Sequence, residues 1–126
     1  MLAPITRIIL YVRNVDKTAE FYQRVFELKV IGTPEKGWIE LGGGGCNLAL
    51  HQAAKTAGFR RAAAKIVFGV KDVSKARALL ERRGLKLGVI HRSPHSTFCN
   101  GKDPEGNHLS ISSRGVLSSG LVSPLG

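Results

Sequence analysis

The chain has 126 residues, 43% of them apolar and 22% charged, a composition that excludes disordered, collagen-like and coiled-coil chains. This length fits one domain or two small modules, and a chain of this size buries about two-thirds of its unfolded surface, so folding requires neither a metal nor a disulfide staple. Nineteen Lys and Arg against nine Asp and Glu give a formal charge of +10, which suits nucleic acid, an anionic surface or an anionic small molecule.

No apolar run approaches the roughly 18 residues of a membrane span, and the opening MLAPITRIIL lacks the basic leader and long apolar core of a signal peptide. A soluble protein with no membrane partner is expected. The basic residues Arg60, Arg61, Lys65, Lys71, Lys75, Arg77, Arg82, Arg83 and Lys86 are scattered over several predicted elements. No aromatic-rich nucleic-acid motif accompanies them, so a nucleic-acid partner is not expected. Cys46 and Cys99 form no CxxC pair and read as reduced thiols of a cytoplasmic protein.

In chain order, the β-branched run 7–12 predicts a strand. Asn14 then caps a helix whose apolar positions Val15, Ala19, Tyr22 and Phe26 recur at helical spacing. Short strands are expected at 28–31, 37–41 and 46–51, the last two joined by a hairpin through Gly42–Gly45, since glycine tolerates positive φ. That glycine run is not a phosphate cradle, because no Lys-Ser/Thr follows it and no helix starts there. Residues 52–64 read as a linker. The pattern then restarts with a strand at 65–70, a helix capped by Asp72 that runs through Arg83 and ends at Gly84, and strands at 87–91, 96–100 and 107–112.

Sliding the chain by 58 residues superposes Arg7–Lys17 on Lys65–Lys75, with identities at Ile8/Ile66, Val12/Val70, Val15/Val73 and Lys17/Lys75. This is an internal repeat of a β-α-β-β-β unit. The expected organisation is one domain over 1–112, made of modules 5–51 and 65–112 with the linker 52–64, followed by a flexible tail over 113–126 rich in Ser and Gly.

Three segments carry a resemblance to a known family: Val12-Arg-Asn-Val-Asp-Lys-Thr-Ala-Glu-Phe-Tyr22, the strand Trp38-Ile-Glu-Leu41, and Asp103-Pro-Glu-Gly-Asn107 before the last strand. With the duplication, they make the chain resemble the vicinal oxygen chelate superfamily, which includes glyoxalase I, bleomycin-resistance proteins, fosfomycin-resistance enzymes and extradiol dioxygenases. The resemblance spans 5–112. It implies an α+β fold in which two repeated β-α-β-β-β modules form a curved, cup-shaped mixed sheet with the helices outside. It also implies a ligand inside the cup and a homodimer. The fold hosts several chemistries and does not choose among them.

Period-two alternation assigns the faces of each strand. Ile8, Leu10, Val12, Ile39, Leu41, Leu48, Leu50, Ile66, Phe68, Val70, Leu109 and Ile111 should pack against the helices. The opposite face collects Arg7, Tyr11, Trp38, Glu40, His51, Lys65, His108 and Ser110, and these are the candidate ligand-binding residues. Metal-dependent members of the resembled superfamily place four His/Glu-type ligands on the first, third, fifth and eighth strands, which motif matching puts at Arg7, Glu40, Lys65 and Ser110. Only Glu40 is a competent ligand there. A substitute set of Glu40, His51 and His108 fails on distance: with the hairpin turning at the glycines, Glu40 pairs near Asn47 and His51 lies roughly 13 Å along the strand. No metal and no cofactor are therefore expected.

These features favour a metal-free protein that binds a small anionic or aromatic molecule, with Arg7 and Lys65 supplying charge and Trp38 a wall. The competing readings are an atypical lyase, isomerase or dioxygenase acting through Glu40, His108 or Lys65, and a basic interaction module with a vestigial cup. No catalytic residue is assignable.

Overall fold

The computed structural model describes residue 5 and residues 7–54, 64–94, 96–114 and 116. The chain divides into two compact units, Met1–Ala62 and Ala63–Gly126. In the first unit, strand β1 (Arg7–Val12) leads into helix α1 (Val15–Phe26), followed by β2 (Lys29–Glu35), β3 (Trp38–Gly42) and β4 (Asn47–Gln52). The second unit repeats the order with β5 (Lys65–Gly69), α2 (Val73–Arg82), β6 (His91–Arg92), β7 (Thr97–Lys102) and β8 (His108–Ser112).

Each unit is a four-stranded mixed sheet carrying one helix, in the orders β1-β4-β3-β2 and β5-β8-β7-β6. The first strand of each unit runs parallel to the fourth, and the other pairings are antiparallel. The α+β class and the β-α-β-β-β repeat match the sequence expectation. Each module contributes a four-stranded mixed sheet of its own. The residues 55–63, most of the expected linker, lie outside the described residues.

Both helices begin as the sequence dictates. Asn14 Oδ1 accepts a hydrogen bond from the Lys17 amide at 3.0 Å and Asp72 Oδ1 one from the Lys75 amide at 3.0 Å, each satisfying a donor that the first turn leaves open. Gly84, at φ 99°, closes α2: its amide reaches the Glu81 carbonyl at 3.1 Å and the next amide, of Leu85, reaches Leu80 at 3.0 Å.

Helix α1 packs on β3 and β4, and α2 on β7 and β8. Leu10, Val12, Ala19, Tyr22, Val25, Leu41, Leu48 and Leu50 fill the first core, and Val73, Leu80, Leu85, Leu87, Cys99, Leu109 and Ile111 the second. Two expectations change here. Ile8 was expected in the core but is 45% exposed, because α1 covers the middle strands and leaves that end of the edge strand open. The strand expected over 87–91 shrinks to His91–Arg92: the backbone before it is irregular, with the Leu85 and Leu87 side chains buried in the core and the Gly88 amide bonded to the Asn100 carbonyl at 2.8 Å.

The hairpin between β3 and β4 turns through Gly43–Cys46 rather than Gly42–Gly45. A Cβ on Gly43 would lie 2.0 Å from the Cys46 carbonyl oxygen, so only glycine fits this turn. The turn shifts the pairing to Glu40↔Ala49 and Trp38↔His51. His51 therefore sits two residues beyond the partner of Glu40, about 7 Å along the strand, not the expected 13 Å. A two-residue shift preserves parity, so every face assignment made by alternation on these strands survives. No helix among the described residues is long and apolar enough to cross a membrane.

Candidate functional site

In each module the sheet face opposite the helix gathers the same three rows of side chains. In the first module Arg7 lies beside Asn47, Ile9 beside Ala49 and Glu40, and Tyr11 beside His51 and Trp38. In the second, Lys65 lies beside His108 and Lys102, Val67 beside Ser110 and Asn100, and Gly69 beside Ser112 and Phe98. The first row carries a cation, the second a hydrogen-bond acceptor and the third an aromatic ring.

The first module closes its charges internally. Arg7 Nε donates to Glu40 Oε2 at 3.0 Å, and Asn47 Nδ2 donates to the same oxygen at 3.0 Å. The Glu40 side chain is only 11% exposed. The Arg7 hydrogen bond, helped by that of Asn47, holds the Glu40 carboxyl below the usual carboxylate range against the opposing effect of desolvation. The Arg7 guanidinium also lies 5.8 Å from the Trp38 ring centroid.

An aromatic row completes this face. His51 meets Trp38 edge-on at 5.9 Å and Tyr11 at 5.1 Å between centroids. His51 Nδ1 donates to the Gln52 carbonyl at 2.8 Å, and since a carbonyl only accepts, the proton on the neutral ring sits at Nδ1. Arg7, Tyr11, Trp38, Glu40 and His51, expected on one face from alternation, do come together there.

Lys65, His108 and Ser110 also share a face, that of the second module, but its chemistry differs. Lys65 Nζ donates to Asn100 Oδ1 at 3.1 Å and lies 5.8 Å from the Phe98 centroid, repeating the Arg7–Glu40–Trp38 arrangement with a neutral acceptor. Among the described residues the Lys65 ammonium has no carboxylate partner. His91 stacks on Phe98 at 4.9 Å. The third row here is Gly69, Ser112 and Phe98; the Val116 side chain closes over Gly69, while Ser112 and Phe98 line an open depression of about 420 Å³ together with Lys65, Ser110 and Arg114.

Four residues of this face were not among the candidate binding residues read from the sequence. Phe98 and Asn100 had a legible signal, since alternation along β7 puts them opposite the buried Cys99. Ser112 falls in the same alternation as Ser110. Arg114 had no signal: it lies in the segment expected to be a flexible tail. The chain there is tied back to β7, with the Thr97 amide donating to Ser113 Oγ at 3.0 Å and the Ser113 amide to the Thr97 carbonyl at 2.9 Å.

The turn before β8 aims this face. Asp103 Oδ1 accepts the amides of Glu105 and Asn107, both at 2.9 Å, and Oδ2 accepts Asn107 Nδ2 at 2.9 Å. Both Asp103 and Asn107 are buried. A carboxylate saturated in this way fixes where β8 begins, and hence which serines reach the open face.

The repeat also relocates the metal-ligand correspondence. Ser110 pairs with the third residue of β5, as Ala49 pairs with the third residue of β1. The position that the repeat relates to Ser110 is therefore Ala49 on β4, and Glu40 lies one strand over. No group of three or more His, Cys, Asp or Glu comes together among the described residues.

The chain matches the family model described as the Glyoxalase/Bleomycin resistance protein/Dioxygenase superfamily over residues 4–111. Solved structures share the fold. A lactoylglutathione lyase from Agrobacterium tumefaciens is 22% identical at a TM-score of 0.69, covering 87% of this chain and 92% of its own. An integron cassette protein from the mobile metagenome of V. cholerae is 25% identical at a TM-score of 0.68, covering 89% and 95%. TnmS3, an antibiotic binding protein from a Streptomyces species, is 18% identical at a TM-score of 0.73, covering 87% and 94%. No curated protein matches by sequence.

Proposed function

The chain belongs to the glyoxalase/bleomycin-resistance/dioxygenase superfamily, and we propose that within it this protein is a metal-independent binder of a small anionic or aromatic molecule, held on the sheet faces opposite the helices. The observation that carries this reading is the donor set. The positions related by the repeat are Arg7, Ala49, Lys65 and Ser110: two cations that repel a divalent ion, a methyl group and a neutral hydroxyl. Glu40, the carboxylate nearest to them in kind, already accepts two donors on one oxygen. These residues do not fit a divalent metal.

What the faces do offer is aromatic surface beside cations: Trp38, Tyr11 and His51 next to Arg7, and Phe98 and His91 next to Lys65. Planar and anionic groups are held by such surfaces. Acid–base chemistry finds less support, since the carboxylate best placed for it, Glu40, is held ionised by Arg7 and Asn47. An antibiotic binding protein among the structures of this fold accords with a binding role. The reading extends to a cytoplasmic homodimer, in keeping with two free cysteines.

The test is a thermal-shift screen of anionic and aromatic metabolites, with and without EDTA. Trp38, the chain's one tryptophan, reports binding by fluorescence. Compounds that raise Tm equally in both conditions support the reading. Stabilisation or turnover that EDTA abolishes and a divalent metal restores overturns it. Sedimentation at micromolar concentration tests the dimer, and a monomer there contradicts it.

A further inference from the structure

We infer that the second module alone carries an oxyanion subsite, in which Lys65, Ser110, Ser112 and Arg114 take the carboxylate or phosphate of a ligand whose apolar part lies against Phe98; this rests on the binding role proposed above and assigns its charge preference to one module. The sequence suggested an anion shared between Arg7 and Lys65. The two cations differ in what already occupies them. Arg7 is paired with Glu40, whereas Lys65 spends one donor on the neutral Asn100 amide oxygen and keeps two more ammonium protons.

The depression beside Lys65 is lined by Ser110, Ser112, Phe98 and Arg114 as well, and no carboxylate lines it among the described residues. Ser110 is 3% exposed, and no side-chain hydrogen bond occupies its hydroxyl among the described residues. Its hydroxyl opens onto the depression, so its proton is available to an incoming acceptor. Ser112 Oγ accepts the Arg114 amide at 3.1 Å, which leaves its own proton to donate. The adjoining row, Lys65, His108 and Lys102, adds positive potential and no negative group.

Two hydroxyl donors, an ammonium and a guanidinium around one small cavity match the several lone pairs of a carboxylate or phosphate. The Lys65 ammonium is exposed and already lies over the Phe98 ring, and an incoming anion gains a charge-assisted hydrogen bond from it. In the first module the corresponding row presents the rings of Tyr11, His51 and Trp38 in place of hydroxyl donors, and its cation is already paired with Glu40.

The full chain, labelled with ¹⁵N, is titrated with benzoate, benzyl alcohol and inorganic phosphate, and amide shifts are followed. The expected result is that benzoate and phosphate shift the amides of Ser110, Ser112 and Arg114, and that benzyl alcohol binds about tenfold more weakly than benzoate. Lys65→Met and Ser110→Ala each weaken benzoate by about tenfold while leaving benzyl alcohol unchanged, and Lys65→Arg restores it. Lys75→Met, which removes the same charge from the exposed side of α2, leaves benzoate unchanged. Spectral dispersion confirms that each variant is folded.

Equal binding of benzoate and benzyl alcohol, or wild-type benzoate affinity in Lys65→Met, overturns the oxyanion subsite while the binding role stands. A loss in Lys75→Met as large as in Lys65→Met also overturns it, since bulk charge then accounts for the affinity. Failure of these probes together with every compound of the thermal-shift screen removes both proposals.

Discussion

Asn100 stands in the second module where Glu40 stands in the first. Each lies in the middle row of its sheet face, each accepts a hydrogen bond from the leading cation of its module, at 3.1 Å from Lys65 and 3.0 Å from Arg7, and each has an aromatic residue two positions before it. The exchange of a carboxylate for an amide leaves one cation neutralised and the other open to a ligand. Several consequences of this and of the turns that build it are measurable.

Asn100→Asp gives the second module the ion pair of the first. A carboxylate 3 Å from an ammonium competes directly with an incoming anion, so benzoate affinity should fall by about tenfold or more, with no loss of thermal stability. Unchanged affinity in the ¹⁵N titration contradicts the role assigned to Lys65.

Glu40→Gln should destabilise the protein near neutral pH and not in acid. The folded carboxyl sits below its ordinary value of 4.5, so its stabilising effect is complete above that value. It is lost as the pH falls through the lower folded value, where the carboxylate gains its proton. Urea denaturation of wild type and variant should show a gap at pH 7 that narrows as the pH is lowered below 4.5. A gap independent of pH would mean that the amide disturbs packing rather than charge.

Gly43→Ala tests the register of the first sheet. Its Cβ would meet the Cys46 carbonyl oxygen at 2.0 Å, and the turn must open to admit it. We expect a loss of about 2 kcal/mol or more, with a change in Trp38 emission as the Trp38–His51 pair shifts. Gly45→Ala, whose Cβ meets nothing within 4 Å, is the control with a small effect.

Asp103→Ala removes acceptors from three hydrogen bonds in a buried turn. A loss of about 2–4 kcal/mol is expected, because two amides and the Asn107 side chain lose their partner. Asp103→Asn, which keeps one acceptor oxygen, should retain part of the stability. Chemical denaturation monitored by circular dichroism separates the two.

Most of the fold was legible because its determinants are local. The caps at Asn14 and Asp72, the C-terminal Gly84 and the alternation of Ile8–Val12 each act within one turn or one strand, so the β-α-β-β-β repeat and the two faces of each sheet follow from neighbouring residues. The same alternation, carried along β7, would have yielded Phe98 and Asn100. Cross-strand partners are another matter. The repeat does not run at constant spacing: Arg7 to Lys65 is 58 residues, Glu40 to Asn100 is 60 and Asn47 to His108 is 61. A single slide of 58 places Glu40 against Phe98 and hides the correspondence with Asn100.

What separates those spacings is turn length, set by where Gly43 and the Asp103–Asn107 turn let the chain reverse, and a two-residue change there moves every pairing on the strands that follow. Charge balance was likewise out of reach for the linear chain. Arg7 meets Glu40 and Asn47 across 33 and 40 residues, and Arg114 lies beside Lys65 across 49, through the pairing of β8 with β5. Composition counts ten excess positive charges; which of them is left without a counter-charge depends on distances of a few ångströms, because the interaction between charges falls with separation and with solvent. Local sequence thus determined the elements and their faces, and tertiary register decided that, of the two cations that lead the modules, Arg7 meets a carboxylate and Lys65 an amide.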